Sequence, residues 1–100
     1  ASPVKTMRAY LDRMDQAWAA LGGAPAEKPV VLATLGPQMS KLAAARTLGT
    51  FPYNITPAQV ALSRAAMGPE GAIICEQKVC LTEDPAVARN AARAALAVYM

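Results

Sequence analysis

Apolar residues recur at alternating spacings of three and four through the first segment of the chain. Val4, Met7, Leu11, Met14, Trp18 and Leu21 fall on one side of a helical wheel. Ser2 and Pro3 read as a cap and a first helical residue, and Gly22-Gly23 as the stop. Ala24 to Pro29 reads as a proline-bounded connection. The pattern then changes. Val30-Val31-Leu32-Ala33-Thr34 is a continuous apolar run, the signature of a parallel strand buried on both faces. After Leu35-Gly36-Pro37 a second helix is predicted from Gln38 to Leu48, with Met39, Leu42 and Ala43 on one side and Gly49 beyond its end. Thr50 to Ile55 reads as a second strand, interrupted by Pro52. Thr56-Pro57 repeats the cap-and-proline signal before a helix whose apolar positions are Ala58, Ala61, Leu62 and Ala65, ending before Gly68. Gly71 to Leu81 reads as a third strand with polar Glu76-Gln77-Lys78 at its middle. Asp84-Pro85 opens a last helix carrying Ala88, Ala92, Ala95, Leu96 and Tyr99 on one face.

Helices alternating with strands favour parallel pairing, because parallel neighbours need a long crossover. The expected class is α/β, with three parallel strands alternating with four helices. Three strands make an unfinished sheet, and the apolar face of the last helix still runs at Ala97-Val98-Tyr99-Met100. The expectation is therefore a part of a larger domain. A (β/α)8 TIM barrel uses eight such units and about 250 residues, so this chain would be a partial barrel.

Composition narrows the chemistry. The chain has 100 residues, 54% hydrophobic and 17% charged, which is far too apolar for a disordered tail. Its longest apolar runs fall well short of the roughly 20 residues a membrane span requires, so no membrane partner is expected. The net charge of +3 comes from ten basic residues scattered along the chain, and no nucleic-acid surface follows from it. Arg8 and Asp12 have the spacing of an ordinary helix-surface pair. Histidine is absent, which removes His-based triads and His-ligated zinc; no metal site is expected. Cys75 and Cys80 stand an odd number of residues apart, which in a strand points them to opposite faces; they read as buried, reduced thiols. With no signal-peptide pattern at Ala1-Ser2-Pro3-Val4-Lys5, a cytoplasmic location is the default.

In parallel α/β folds, ligands meet the carboxyl ends of strands and the helix starts that follow. Here those places are Thr34 to Met39, Tyr53 to Thr56, and Leu81 to Asp84. In the first, Gly36 lets a ligand approach the backbone, and the free amides of the helix start favour an anion such as phosphate. The same residues also suit an ordinary strand-to-helix turn. Glu76 and Lys78 share one strand face and read either as a structural ion pair or as a proton-transfer pair. Glu83 serves equally as a helix-start residue or an acid. Asn54-Ile55-Thr56 matches a glycosylation sequon, without any sign of secretion.

Val30 to Arg46, with Val30-Val31-Leu32-Ala33-Thr34-Leu35-Gly36-Pro37-Gln38-Met39 at its head, resembles a segment of luciferase-like monooxygenases. Pro52 to Pro57, Glu76-Gln77-Lys78-Val79 and Thr82 to Arg89 follow in the same order and spacing. Together they resemble the actinobacterial branch assigned as coenzyme F420-dependent oxidoreductases, over nearly the whole chain from Met7 onward. The resemblance implies that residues 1–100 are the C-terminal segment of a (β/α)8 barrel, running from a helix after the fifth strand into the last helix. It implies that the loop from Ala33 to Pro37 lies against a cofactor phosphate. Thr34, Leu35 and Gly36 would offer backbone contacts, joined by the amides of Gln38 and Met39. Related enzymes often carry a small residue where Leu35 stands, a departure that bears on how closely the cofactor approaches.

The chemistry so implied is two-electron transfer between a deazaflavin, coenzyme F420, and a small organic substrate, the cofactor carrying the reactive carbon. FMN is the alternative cofactor, and a luciferase-like flavin monooxygenase the corresponding enzyme. No catalytic residue is identified. The ring pocket would come from residues outside this chain, so little activity is expected of the chain alone. A different class of reading is a non-catalytic α/β fragment or assembly partner, whose strand edges would pair with another chain or a second copy of this one.

Overall fold

Among the described residues each of the four α-helices starts on a proline, the residue whose fixed φ and missing N–H suit the first helical position. The computed structural model describes residues 2–24, 27 and 29–99. Their order is α1 (Pro3–Ala20), α2 (Pro37–Arg46), β1 (Gly49–Thr50), α3 (Pro57–Met67), β2 (Ala72–Ile73), α4 (Pro85–Leu96) and a final 3-10 turn, Ala97–Tyr99. Positions 25, 26 and 28 of the expected Ala24-to-Pro29 connection, and Met100, lie outside the described residues.

The expected fold class, a partial (β/α)8 barrel with three parallel strands, does not hold. Among the described residues the sheet has two strands of two residues each, paired in parallel with Gly49 opposite Ala72 and Thr50 opposite Ile73. The chain is mainly helical. The Val30-to-Thr34 run meets β1 through a single parallel bridge, Leu32 to Thr50. The hydrogen bonds show why the ladder stops. Leu48 and Phe51 donate to Val30 and Leu32, so β1 spends one more residue than its neighbour between successive bonds. Gly49 lies inside that irregular stretch at φ +153°, where a Cβ would strike the backbone of Ala72. Pro52, with no N–H to give, follows at once. The expected third strand shortens to Ala72–Ile73, and polar Glu76, Gln77 and Lys78 lie in irregular chain.

Leu11, Leu32, Leu42 and Ala43 form the core, with Val4, Met7, Met14, Val30 and Met39 packed around it. The α1 and α2 stripes are thus those the spacing predicts, except that Trp18 is half-buried outside this core and Leu21 is exposed beyond the helix. Helix α2 is central, packing on α1, α3 and β1. Helix α3 presents a different face from the expected one: Ser63 and Met67 are buried, while Leu62 is 69% exposed. Asp12, expected to pair with Arg8, reaches instead across to α2, where the Arg46 guanidinium contacts Asp12 at 2.8 Å and Asp15 at 2.9 Å. Helix α4 has no buried residue. Cys75 and Cys80 are free thiols, as expected, but exposed rather than buried, because their segment never joins the sheet.

Candidate functional site

Parallel pairing sends the segments after Leu32, Thr50 and Ile73 out of the same end of the sheet. The Thr34-to-Met39 loop leaves from that end. Thr34 itself is buried, and its side chain is already engaged. The Ser40 hydroxyl donates to the Gly36 carbonyl at 3.0 Å and lies 3.1 Å from the Thr34 hydroxyl, which in turn bonds that of Thr50. Each hydroxyl has one proton. With Ser40 donating to Gly36, Thr34 must donate to Ser40 and Thr50 to Thr34. The three side chains therefore form a one-way chain that pins the loop to α2 and β1.

What the loop leaves open is backbone. The other three helix starts are covered by a side chain: Ser2 accepts from the Lys5 amide, Thr56 from Gln59, and Asp84 from Ala86. At α2 the cap residue is Gly36, which has no side chain to offer, and Pro37 has no N–H. The amides of Gln38 and Met39 are the orphan donors of that turn. Gly36 sits at φ −95°, a conformation open to any residue, and a Cβ there would touch nothing within 4 Å. Every other glycine of the chain has either a positive φ or a neighbour that a side chain would strike. Neither backbone geometry nor packing within the chain calls for glycine at 36, and the missing side chain leaves the backbone there uncovered. Leu35 beside it is 73% exposed, and the Met39 side chain turns into the core.

A second polar cluster forms where the irregular chain after β2 meets Tyr53 and the C-terminal turn. Lys78 Nζ lies 2.6 Å from Glu76 Oε1 and donates to the Tyr53 hydroxyl at 3.1 Å, with its ammonium 4.4 Å from the Tyr53 ring centre. The Tyr53 and Tyr99 hydroxyls are 2.6 Å apart, and their rings meet edge to face. Bonds to the Tyr99 hydroxyl and then the Lys78 ammonium hold the Tyr53 phenol below the ordinary tyrosine range. Tyr99 is raised by its bond to Tyr53, and Lys78 by its bonds to Glu76 and then Tyr53. Glu76 and Lys78 thus do pair, although at a half-exposed position and not in a buried strand. Tyr53 and Tyr99 carry no local signal: they stand 46 residues apart and meet only in the fold. Glu83 is exposed, next to the α4 cap Asp84.

Among the described residues no group of three or more Cys, Asp or Glu could hold a metal ion, and no helix is long and apolar enough to cross a membrane. No family model, curated protein or solved structure matches this chain.

Proposed function

We propose that the chain carries the phosphate-binding part of a cytoplasmic, luciferase-like oxidoreductase that uses coenzyme F420. The observation that carries this reading is the uncapped start of α2: two amides free of any side chain, beside a glycine that nothing inside the chain requires. The resemblance of Val30 to Arg46 to the luciferase-like segment selects the same loop. The donor set suits a phosphate, since backbone amides at a helix start combine hydrogen bonds with the positive end of the helix dipole. Gln38 and Met39 would bind through their amides, and Gly36 and Leu35 would border the phosphate. Thr34 would act by holding the loop, its hydroxyl being committed to Ser40 and Thr50. When bound, the deazaflavin supplies two-electron transfer to or from a small organic substrate. FMN would present a phosphate to the same amides.

Fluorescence titration of the chain with F420 and with FMN tests the reading, together with Gly36→Asp. An aspartate at 36 supplies the missing cap and places a negative charge where the phosphate would sit. Thermal stability is expected to hold or rise by a few tenths of a kcal/mol relative to glycine, while F420 affinity falls at least about tenfold. F420 binding that is absent, or unchanged in Gly36→Asp, overturns the proposal. Tighter binding of FMN would move it to the flavin enzyme.

A second reading is a non-catalytic assembly partner. The exposed side chains Val31, Phe51 and Ile74 of the three adjoining extended segments favour it. Sedimentation that finds a tight dimer binding neither cofactor would support this reading over the first.

A further inference from the structure

The chain has three tyrosines, and the fold brings two of them into contact across 46 residues of sequence. Tyr53, beyond β1, and Tyr99, in the turn after α4, hold their hydroxyl oxygens 2.6 Å apart and their ring centres 5.7 Å apart. Both are open to solvent, at 37% and 61% exposure. Tyr10 is equally open at 59%, but it lies on α1 and meets no other aromatic ring among the described residues. Position gives the pair a consequence. Helix α4 buries no residue, and the Tyr99 hydroxyl is where its far end is tied by a hydrogen bond to distant chain.

A phenol loses an electron most readily as its proton leaves, and the resulting radical carries spin on the ring carbons beside the one that bears oxygen. Two such radicals formed in contact couple at those carbons. Oxygens already touching bring these carbons close. The rings meet at 68° and must turn to couple, which exposed side chains do within nanoseconds. The lowered range of the Tyr53 phenol eases the first proton loss; the groups that face it are Tyr99, Lys78 and Glu76.

We infer that Tyr53 and Tyr99 form an oxidative cross-linking site, at which hydrogen peroxide, working through a one-electron oxidant such as a peroxidase haem, joins the two rings as dityrosine. Each phenol gives up one electron and one proton. The two radicals form one carbon–carbon bond between ortho carbons, and the hydrogen on each of those carbons moves to its oxygen. The two electrons and two protons released reduce one hydrogen peroxide to two waters. The product is a covalent staple that fixes the end of α4 to the segment beyond β1. It is independent of the Gly36 loop.

The test uses the full chain, with the exposed Cys75 and Cys80 thiols capped by N-ethylmaleimide so that they do not reduce tyrosyl radicals. It is treated with a haem peroxidase and one equivalent of hydrogen peroxide, in conditions that couple N-acetyltyrosine. The expected product shows dityrosine fluorescence, has lost two hydrogens in intact mass, runs as a monomer on a denaturing gel, and yields a peptide linking residues 53 and 99. At about 10 μM chain, a pair held in contact has an effective concentration on the order of millimolar or more, so this link should exceed links between chains roughly a hundredfold. Tyr53→Phe and Tyr99→Phe should each abolish it, and Tyr10→Phe should leave it. Circular dichroism shows that each variant is folded. Oxidation in urea should remove the preference and bring Tyr10 into the products. In the linked protein the α4 amides should exchange more slowly and the melting temperature should rise. Absence of dityrosine, links confined to pairs of chains, or Tyr10 linked as often as Tyr53 and Tyr99 in the folded protein would overturn the proposal.

Discussion

The hydroxyls of Thr34, Ser40 and Thr50 show how a single atom's role depends on its place in a chain of donors. Because protons run from Thr50 through Thr34 to Ser40 and on to the Gly36 carbonyl, the two threonines are not equivalent. Thr50→Val removes the first donor and leaves no donor stranded. Thr34→Val strands the Thr50 proton at a fully buried site and should cost roughly 1 to 3 kcal/mol, more than Thr50→Val. The double variant, apolar at both positions, should be no less stable than Thr34→Val alone. Urea denaturation of the three proteins checks the order; a larger loss for Thr50→Val would reverse the proton direction. Sequence reading identified the Thr34 loop from its glycine and proline, but Thr50 lies 16 residues away and joins it only through the parallel bridge.

At the scale of elements, helix positions were legible and their partners were not. The α1 stripe, read from spacing alone, is the face that meets the core, with Leu11 at 1% exposure. Leu11→Ala should cost roughly 2 to 5 kcal/mol. Arg46→Met, which breaks the partly exposed pairing with Asp12 and Asp15, should cost about 1 kcal/mol and lose most of that effect at high salt. Thermal melts of both variants at two salt concentrations check the contrast; a larger effect for Arg46→Met would mean that charge rather than packing holds α1. For α3 the expected face was Ala58, Ala61, Leu62 and Ala65, and the structure buries Ser63 and Met67. Alanine is apolar on every side of a helix, so a pattern built on it marks no direction. Packing against α2 decides which face is buried.

Across the whole molecule the extents are 53 × 28 × 25 Å, and the radius of gyration is 17.1 Å, against about 13 Å for a compact domain of this length. The excess reflects an elongated arrangement in which α4 contributes nothing to the core. Its hydrogen bonds should therefore open locally, without global unfolding. Hydrogen exchange is expected to show α4 amides exchanging well before those of α2, with α1 and α3 closer to α2. Equal protection in α4 and α2 would show that α4 is covered in solution.

By itself the sequence determined where helices begin, because caps and prolines act within a few residues; the end of α2 fell at Arg46 rather than the expected Leu48. It also placed Glu76 and Lys78 two residues apart, near enough to pair, although the strand whose parity was to put them on one face does not form. The tertiary structure decided how far the strands pair, which face of α3 is buried, and which distant hydroxyls meet. Those outcomes depend on one extra residue in β1 and on contacts 16 to 46 residues apart, for which no local pattern exists. The strand-like runs were real as sequence patterns. They became a two-stranded sheet because pairing needs matched donors on both neighbours, and Gly49 and Pro52 deny that match.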